Sequence, residues 1–328
     1  TYACTYTRIT SIGFPFLIVT IGGSNLIRAD GSPNYSMACN LVGAVVNSIL
    51  DPLFIFVFHM GMTGAALATI TGQVLSFLLV VRYLRGFKTL PLSLSDLKPK
   101  TACWIQIASL GATPAFNQVA MMVVQIVMNN TLTHYGSNSI YGSDIPLACA
   151  GIISKVNMLF FSFVIGISQG LQPIVSFNFG AAKYDRVKEA YKKAVFAATA
   201  ISVVAFLFFQ LFPRQIISIF GSGSEEYLHF AERYFRIFLF FTFLNGIQPV
   251  SSNFFTSIGA PKKGIFLSLT RQIIFLLPLL LIFPYLFGID GVMYTAPIAD
   301  LAAASVSIFM VVREFKIMTE LENRKAAA

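Results

Sequence analysis

Charge is scarce in this 328-residue chain: Asp, Glu, Lys and Arg make up 11% of it, 56% is hydrophobic, and the mean hydropathy is +0.73. That balance excludes an ordinary soluble domain, whose helices show polar faces at regular intervals. Histidine is nearly absent, and His59, His134 and His229 have no H-E-x-x-H spacing, so no metal site is expected. The four cysteines form no C-x-x-C pair and read as small apolar fillers rather than a disulfide or zinc framework. No G-x-x-x-x-G-K-[ST] loop is present, so direct ATP drive is not expected, and no motif supports an enzyme. Period-two alternation is also missing, which excludes an outer-membrane barrel.

What is there is oil. Nine segments are long enough to cross a hydrocarbon core of about 30 Å, which takes roughly 20 apolar residues per helix. They fall near 9–27, 36–58, 62–83, 104–130, 146–168, 190–212, 227–258, 265–287 and 290–313. The expected fold class is therefore an all-α polytopic membrane protein. The net charge of +9 could suggest nucleic acid, but the positions of the basic residues argue for membrane orientation instead. Most of the Lys and Arg lie on one set of alternate connections, including Arg82, Arg85, Lys183, Arg186, Lys188, Lys262, Lys263, Arg313 and Lys316. That set is assigned to the cytoplasm, and the C-terminus with it.

An internal repeat organises the chain. SIGAPKKG at 257–264 echoes ADGSPNYS at 29–36, aligning Gly31 with Gly259 and Pro33 with Pro261. Pro52 then matches Pro278, and Gly61 and Gly64 match Gly288 and Gly291, at an offset of roughly 227 residues. Both copies share one orientation, the mark of a parallel repeat building two lobes. The expected organisation is a partial lobe at 1–85, a basic Pro-containing linker at 86–103, a six-helix lobe at 104–313 and a cytoplasmic tail at 314–328. The chain starts at Thr1 rather than Met, and the repeat predicts three further helices, roughly 120 residues, before it.

Polar residues inside the helices mark the candidate site. Ser36, Asn40, Asn47 and Asp51 fall within about 80° of arc on one helix, and Gln118, Gln125 and Asn129 repeat that spacing on another. Asp51, Lys155 and Asp300 each come out roughly 20 Å from a cytoplasmic helix end, deep in the membrane. A charge there costs roughly 2.5–3.5 kcal/mol, which invites a functional explanation. Lys155 and Asp300 could instead form a static pair, while Arg271 could snorkel to the cytoplasmic interface. Pro52 removes a backbone donor beside Asp51 and is expected to kink the helix, as a switch or as a packing device.

The run RADGSPNYSMACNLVGAVVNSILDPLFIF, with ATPAFNQ at 112–118, GISQGLQPIVSFNFGA at 166–181 and FFTSIGAPKKG at 254–264, resembles the multidrug and toxic compound extrusion (MATE) family, in its MepA-like bacterial branch. The resemblance covers essentially the whole chain, from what would be the fourth of twelve helices. It implies a two-lobe MATE/MOP-type bundle in the bacterial cytoplasmic membrane. It also implies a monomeric antiporter that exports cationic, amphipathic drugs by alternating access, with protons rather than sodium as the coupling ion and no other cofactor. Asp51 then matches an acidic residue implicated in coupling or substrate binding, with Asn47 and Asn40 beside it. Gln118, Gln125, Asn129, Lys155, Asn245 and Asp300 are the candidates in the second lobe. Some members carry an acidic pair for sodium on the helices that here hold Gln118, Gln125, Asn245 and Gln248, which puts such a site in doubt. The alternatives are a lipid-linked saccharide flippase of the same superfamily and, in another class, a receptor or channel.

Overall fold

A computed structural model describes residues 2–87, 101–220 and 225–327. The described residues hold helices and turns and no strand. The chain divides into two compact units, Thr1–Lys100 and Thr101–Ala328. Most of the linker expected at 86–103 lies outside the described residues, and the second unit's first helix starts at Thr101.

The first unit contains α1 (Tyr2–Ser11), α2 (Phe14–Ala29), α3 (Pro33–Pro52) with a π-helical extension Leu53–Val57, and α4 (Gly61–Leu84). Segment 9–27, expected as one span, is broken by 54° between α1 and α2. The cause is local: Gly13 bonds back to the Thr10 carbonyl at 2.9 Å, and Pro15 follows in the first turn of α2. Proline cannot donate the next helical bond, so the ladder stops there. The axes of α3 and α4 come close because Gly43 and Gly72 face each other; a Cβ on Gly72 would sit 2.6 Å from the Gly43 carbonyl oxygen.

The second unit comprises α5 (Thr101–Ser137), α6 (Asp144–Gly180), α7 (Tyr184–Leu211), α8 (Pro213–Phe220), α9 (Glu225–Phe238) and α10 (Ile247–Ser257). It ends with α11 (Pro261–Leu269), a π-helical segment Thr270–Leu276, α12 (Leu277–Phe287) and α13 (Ile289–Ala327). The expected boundaries need correcting in three places. Helix α6 runs on from 168 to Gly180, through Pro173, because its second half is stitched to α10. Ser168 donates to the Pro249 carbonyl at 3.2 Å, Gln172 to Asn253 at 3.4 Å and Ser176 to the Ser257 carbonyl at 3.0 Å, one rung per turn. Segment 227–258 is not one rod but α9, a 3₁₀ turn Thr242–Leu244, and α10. The region expected as a tail from 314 belongs to α13, which is 39 residues long. Among the described residues, seven helices are long and apolar enough to span a membrane, or eight if α1 and α2 count as one bent span.

The repeat is present in the backbone. Gly31 and Gly259 hold φ values of +77° and +78°, and Gly61 and Gly288 hold +54° and +61°, left-handed conformations that suit glycine. It is present in side chains too. Ser36 and Asn40 bond to the Ser24 carbonyl and hydroxyl at 2.9 and 3.0 Å. At the equivalent positions Ser252 bonds the Gly264 carbonyl at 2.9 Å and Ser268 at 2.8 Å. The α1–α2 break has its counterpart as well, since Gly13 plus roughly 227 falls at Phe240, between α9 and α10.

The Gly43–Gly72 contact leaves no room for side chains, so Gly72→Val is expected to lower unfolding stability by about 1–3 kcal/mol. Gly22, with nothing within 4 Å of a built Cβ, is the control: Gly22→Ala should leave the melting midpoint unchanged or raise it. Thermal unfolding of the detergent-solubilised variants checks both.

Candidate functional sites in the two units

In the first unit the polar stripe of α3 divides by role. Ser36 is buried, and the Asn40 amide donates to Ser24 and to the Ser36 carbonyl, so this end of the stripe holds α3 to α2. At the same level of α3, the Ser76 hydroxyl of α4 donates to the buried Cys39 carbonyl at 2.9 Å. Asn47 reaches across to the Thr69 hydroxyl of α4 at 3.5 Å. Asp51 follows one turn beyond Asn47, and there the pairing stops. Its Oδ1 is buried and has no hydrogen-bond partner among the described residues.

The helix does not simply kink at Pro52. It continues into a π-helical turn, closed by Phe58 donating to the Leu53 carbonyl at 3.1 Å. A π turn adds a residue to the repeat and loosens the backbone next to a polar group, an arrangement frequent at functional sites. Thr69, on the neighbouring helix, was not apparent as a candidate from the sequence. Its only signal is one hydroxyl on a helix that also carries Thr63, Thr71, Gln73 and Ser76, so nothing in the sequence singles it out.

In the second unit the structure replaces the expected Lys155–Asp300 pair. Asp300 on α13 is engaged by Arg271, whose Nε donates to Oδ1 at 2.6 Å, and by the side chain of Asn245 at the α9–α10 break. Lys155 is exposed and forms no ion pair with Asp300. The extension of α6 to Gly180 explains this: Lys155 lies 25 residues from the Gly180 end of its helix, far nearer the Asp144 end. Nor does Arg271 snorkel. It stands ten residues into a rod that starts at Pro261, about 15 Å along the axis, and its guanidinium is tied inward to Asp300.

The remaining candidates do not join this cluster through a hydrogen bond. Gln118 is exposed, and Gln125, also exposed, donates to Asn129 at 2.9 Å. Gln248 is buried and committed to the Leu267 carbonyl at 2.7 Å. A groove of about 590 Å³ opens between α6 and α7, lined by Ile167, Leu171, Ile174, Arg186, Glu189 and Lys193 among others; none of the candidate site residues lines it. No group of three or more His, Cys, Asp or Glu among the described residues could hold a metal ion.

Comparison with known proteins gives one consistent picture. The MatE family profile matches residues 114–282, more than half of the chain. The multidrug export protein MepA of Staphylococcus haemolyticus (strain JCSC1435) is 27% identical over 312 residues, covering 94% of this chain and 67% of that protein. MepA of Staphylococcus aureus (strain MW2) is 24% identical, covering 93% of this chain and 66% of its own length. This chain thus spans about two thirds of the length of these relatives. Among solved structures, a MATE protein in its bent conformation superposes with a TM-score of 0.87 at 21% identity, over 97% of this chain and 70% of that one. An outward-facing multidrug resistance MATE family transporter of the MOP superfamily gives 0.88 at 21% identity, over 96% and 69%.

Removing one member of a buried ion pair strands the other, at a cost of about 3–5 kcal/mol. Asp300→Leu alone is therefore expected to lower the melting midpoint sharply. The double replacement Arg271→Met with Asp300→Leu should recover most of that loss, and a double-mutant cycle of thermal unfolding measures the difference.

Proposed function

The chain belongs to the MATE family of multidrug export transporters, and from that premise we propose that it exports cationic, amphipathic compounds in exchange for protons, with Asp51 as the coupling group. The family's members are transporters rather than enzymes, and the long apolar helices place the chain in a membrane as a multi-pass protein. The observation that carries the proposal is the buried, unpartnered Oδ1 of Asp51 at the end of the α3 stripe.

The physical argument is a competition for one carboxylate. An ionised, unpaired group deep in a helix bundle carries a penalty of roughly 2.5–3.5 kcal/mol. A proton removes the charge, and a drug cation neutralises it; either relieves the penalty, but both cannot occupy the same oxygen. The empty, ionised form is then disfavoured roughly a hundredfold in crossing between inward- and outward-open states. The loaded forms interconvert and the empty one does not, which is the condition for obligatory exchange. Asn47 and Thr69 hold the approach to the carboxylate in place, and the π turn after Pro52 gives α3 the freedom to adjust when the charge changes. In this reading the protein acts as a monomer in the bacterial cytoplasmic membrane, without ATP and with the C-terminus inside.

Asp51→Asn in the complete protein is expected to reduce dye export driven by a proton gradient at least tenfold, while Asp51→Glu retains part of it. Export at the wild-type rate by the Asn variant would sink the proposal. For orientation, a green fluorescent protein fused at the C-terminus should fluoresce, whereas alkaline phosphatase fused at the same point should be inactive.

A further inference from the structure

The ion pair in the second unit uses only part of its cation. Arg271 has five N–H donors and holds Asp300 through the one on Nε. Among the described residues its two terminal amino groups have no hydrogen-bond partner. Nor are they among the buried partnerless polar atoms, which are Asp51 Oδ1, Gln73 Oε1 and the Tyr234 hydroxyl. The side chain of Asp300 is 2% exposed and that of Arg271 20%. The pair therefore presents one edge to its surroundings, and that edge is cationic.

Its location narrows what can lie there. Arg271 sits about 15 Å into its rod, near the middle of a hydrocarbon layer of about 30 Å. An arginine edge at that depth faces a hydrophilic cavity rather than acyl chains. The register of α5 agrees. Thr113 of α5 donates to the Pro261 carbonyl at 3.4 Å, and both helices run away from the same side, so Arg271 is level with roughly residue 123 of α5. That level falls between Gln118 and Gln125, whose side chains are exposed. The π-helical segment that carries Arg271 packs against α5 directly.

We propose that the outward edge of Arg271 is an anion subsite that binds the carboxylate of zwitterionic amphipathic substrates through its two terminal amino groups. The planar fork matches a carboxylate in a bidentate way that an ammonium cannot. Asp300 and Asn245 are positioning residues: they fix the plane of the guanidinium and balance its charge when the subsite is empty. A substrate carrying only a cation gains nothing here, so the subsite discriminates between zwitterions and simple cations. The inference deepens the export reading and rests on it for its transport role.

The test separates binding from transport. Fluorescence anisotropy measures the Kd of the purified complete protein for rhodamine B, a carboxylate zwitterion, and for its ethyl ester, a cation of the same scaffold. In Arg271→Gln the ratio of the two Kd values is expected to shift at least tenfold against the zwitterion, and in Arg271→Lys by less. The double variant Arg271→Gln with Asp300→Asn removes both charges together and guards against a stranded carboxylate; it should show the same shift. An unchanged ratio in the double variant overturns the subsite. Absence of ester export by the wild-type protein in energised vesicles, with the ratio shift intact, overturns the export reading alone.

Discussion

A polar group inside hydrocarbon has no water to fall back on, so every donor, acceptor and charge within these helices must be answered by the protein itself. The architecture follows from that constraint. Hydroxyls and amides that reach a neighbour stitch helices together, as Ser24 does with Ser36 and Asn40, Ser252 with Ser268, and Ser168 with Pro249. Charges that reach a neighbour become fixed pairs, as Arg271 does with Asp300. What remains unanswered stands out against this background. In the first unit two buried oxygens are left without a partner among the described residues, Asp51 Oδ1 and Gln73 Oε1, and of the two only Asp51 can carry a charge.

The two units solve one design differently. By the repeat offset, Gly43 corresponds to Arg271 and Gln73 to Asp300. Where the first unit brings two backbones together through Gly43 and Gly72, the second opens the helix with a π-helical segment and inserts an ion pair. The first unit keeps its charge eight residues beyond Gly43, about two turns further on, at Asp51, whose Oδ1 has no hydrogen-bond partner among the described residues. The duplicated scaffold thus carries a carboxylate with a partnerless oxygen in one half and an ion-paired one in the other.

Much of this was legible from composition and spacing. Hydropathy located most of the helices, though it ran α1 into α2 and α9 into α10, and Gly31 with Gly259 and Gly61 with Gly288 hold matching positive φ. The Asn47–Asp51 stripe was readable because a helical period is regular. What escaped was what local patterns do not encode. The expected span closed at 168, where the hydrophobic length for one crossing is complete, yet the ladder to α10 carries the helix on to Gly180. The α9–α10 break turns on Asn245, Gly246 and Pro249, ordinary residues in a membrane helix. The Arg271–Asp300 pairing depends on the register of a π-helical segment, where one additional residue rotates a side chain by about 100°. No propensity announces that rotation, and the sequence therefore pointed to Lys155.

The length of α13 has a mechanical consequence. Asp300 anchors this helix to Arg271, and about 33 Å further along it Glu322 meets Lys188 of α7 at 3.2 Å. Taken as a rigid rod pivoting at Asp300, α13 turns a tilt of about 10° into a sweep of about 6 Å at Glu322. That exceeds the length of the Lys188 contact, so the far clamp opens before the pivot needs to yield. By its proportions α13 is a lever, with the ion pair at Asp300 as its pivot and the Glu322–Lys188 contact at the end of its long arm.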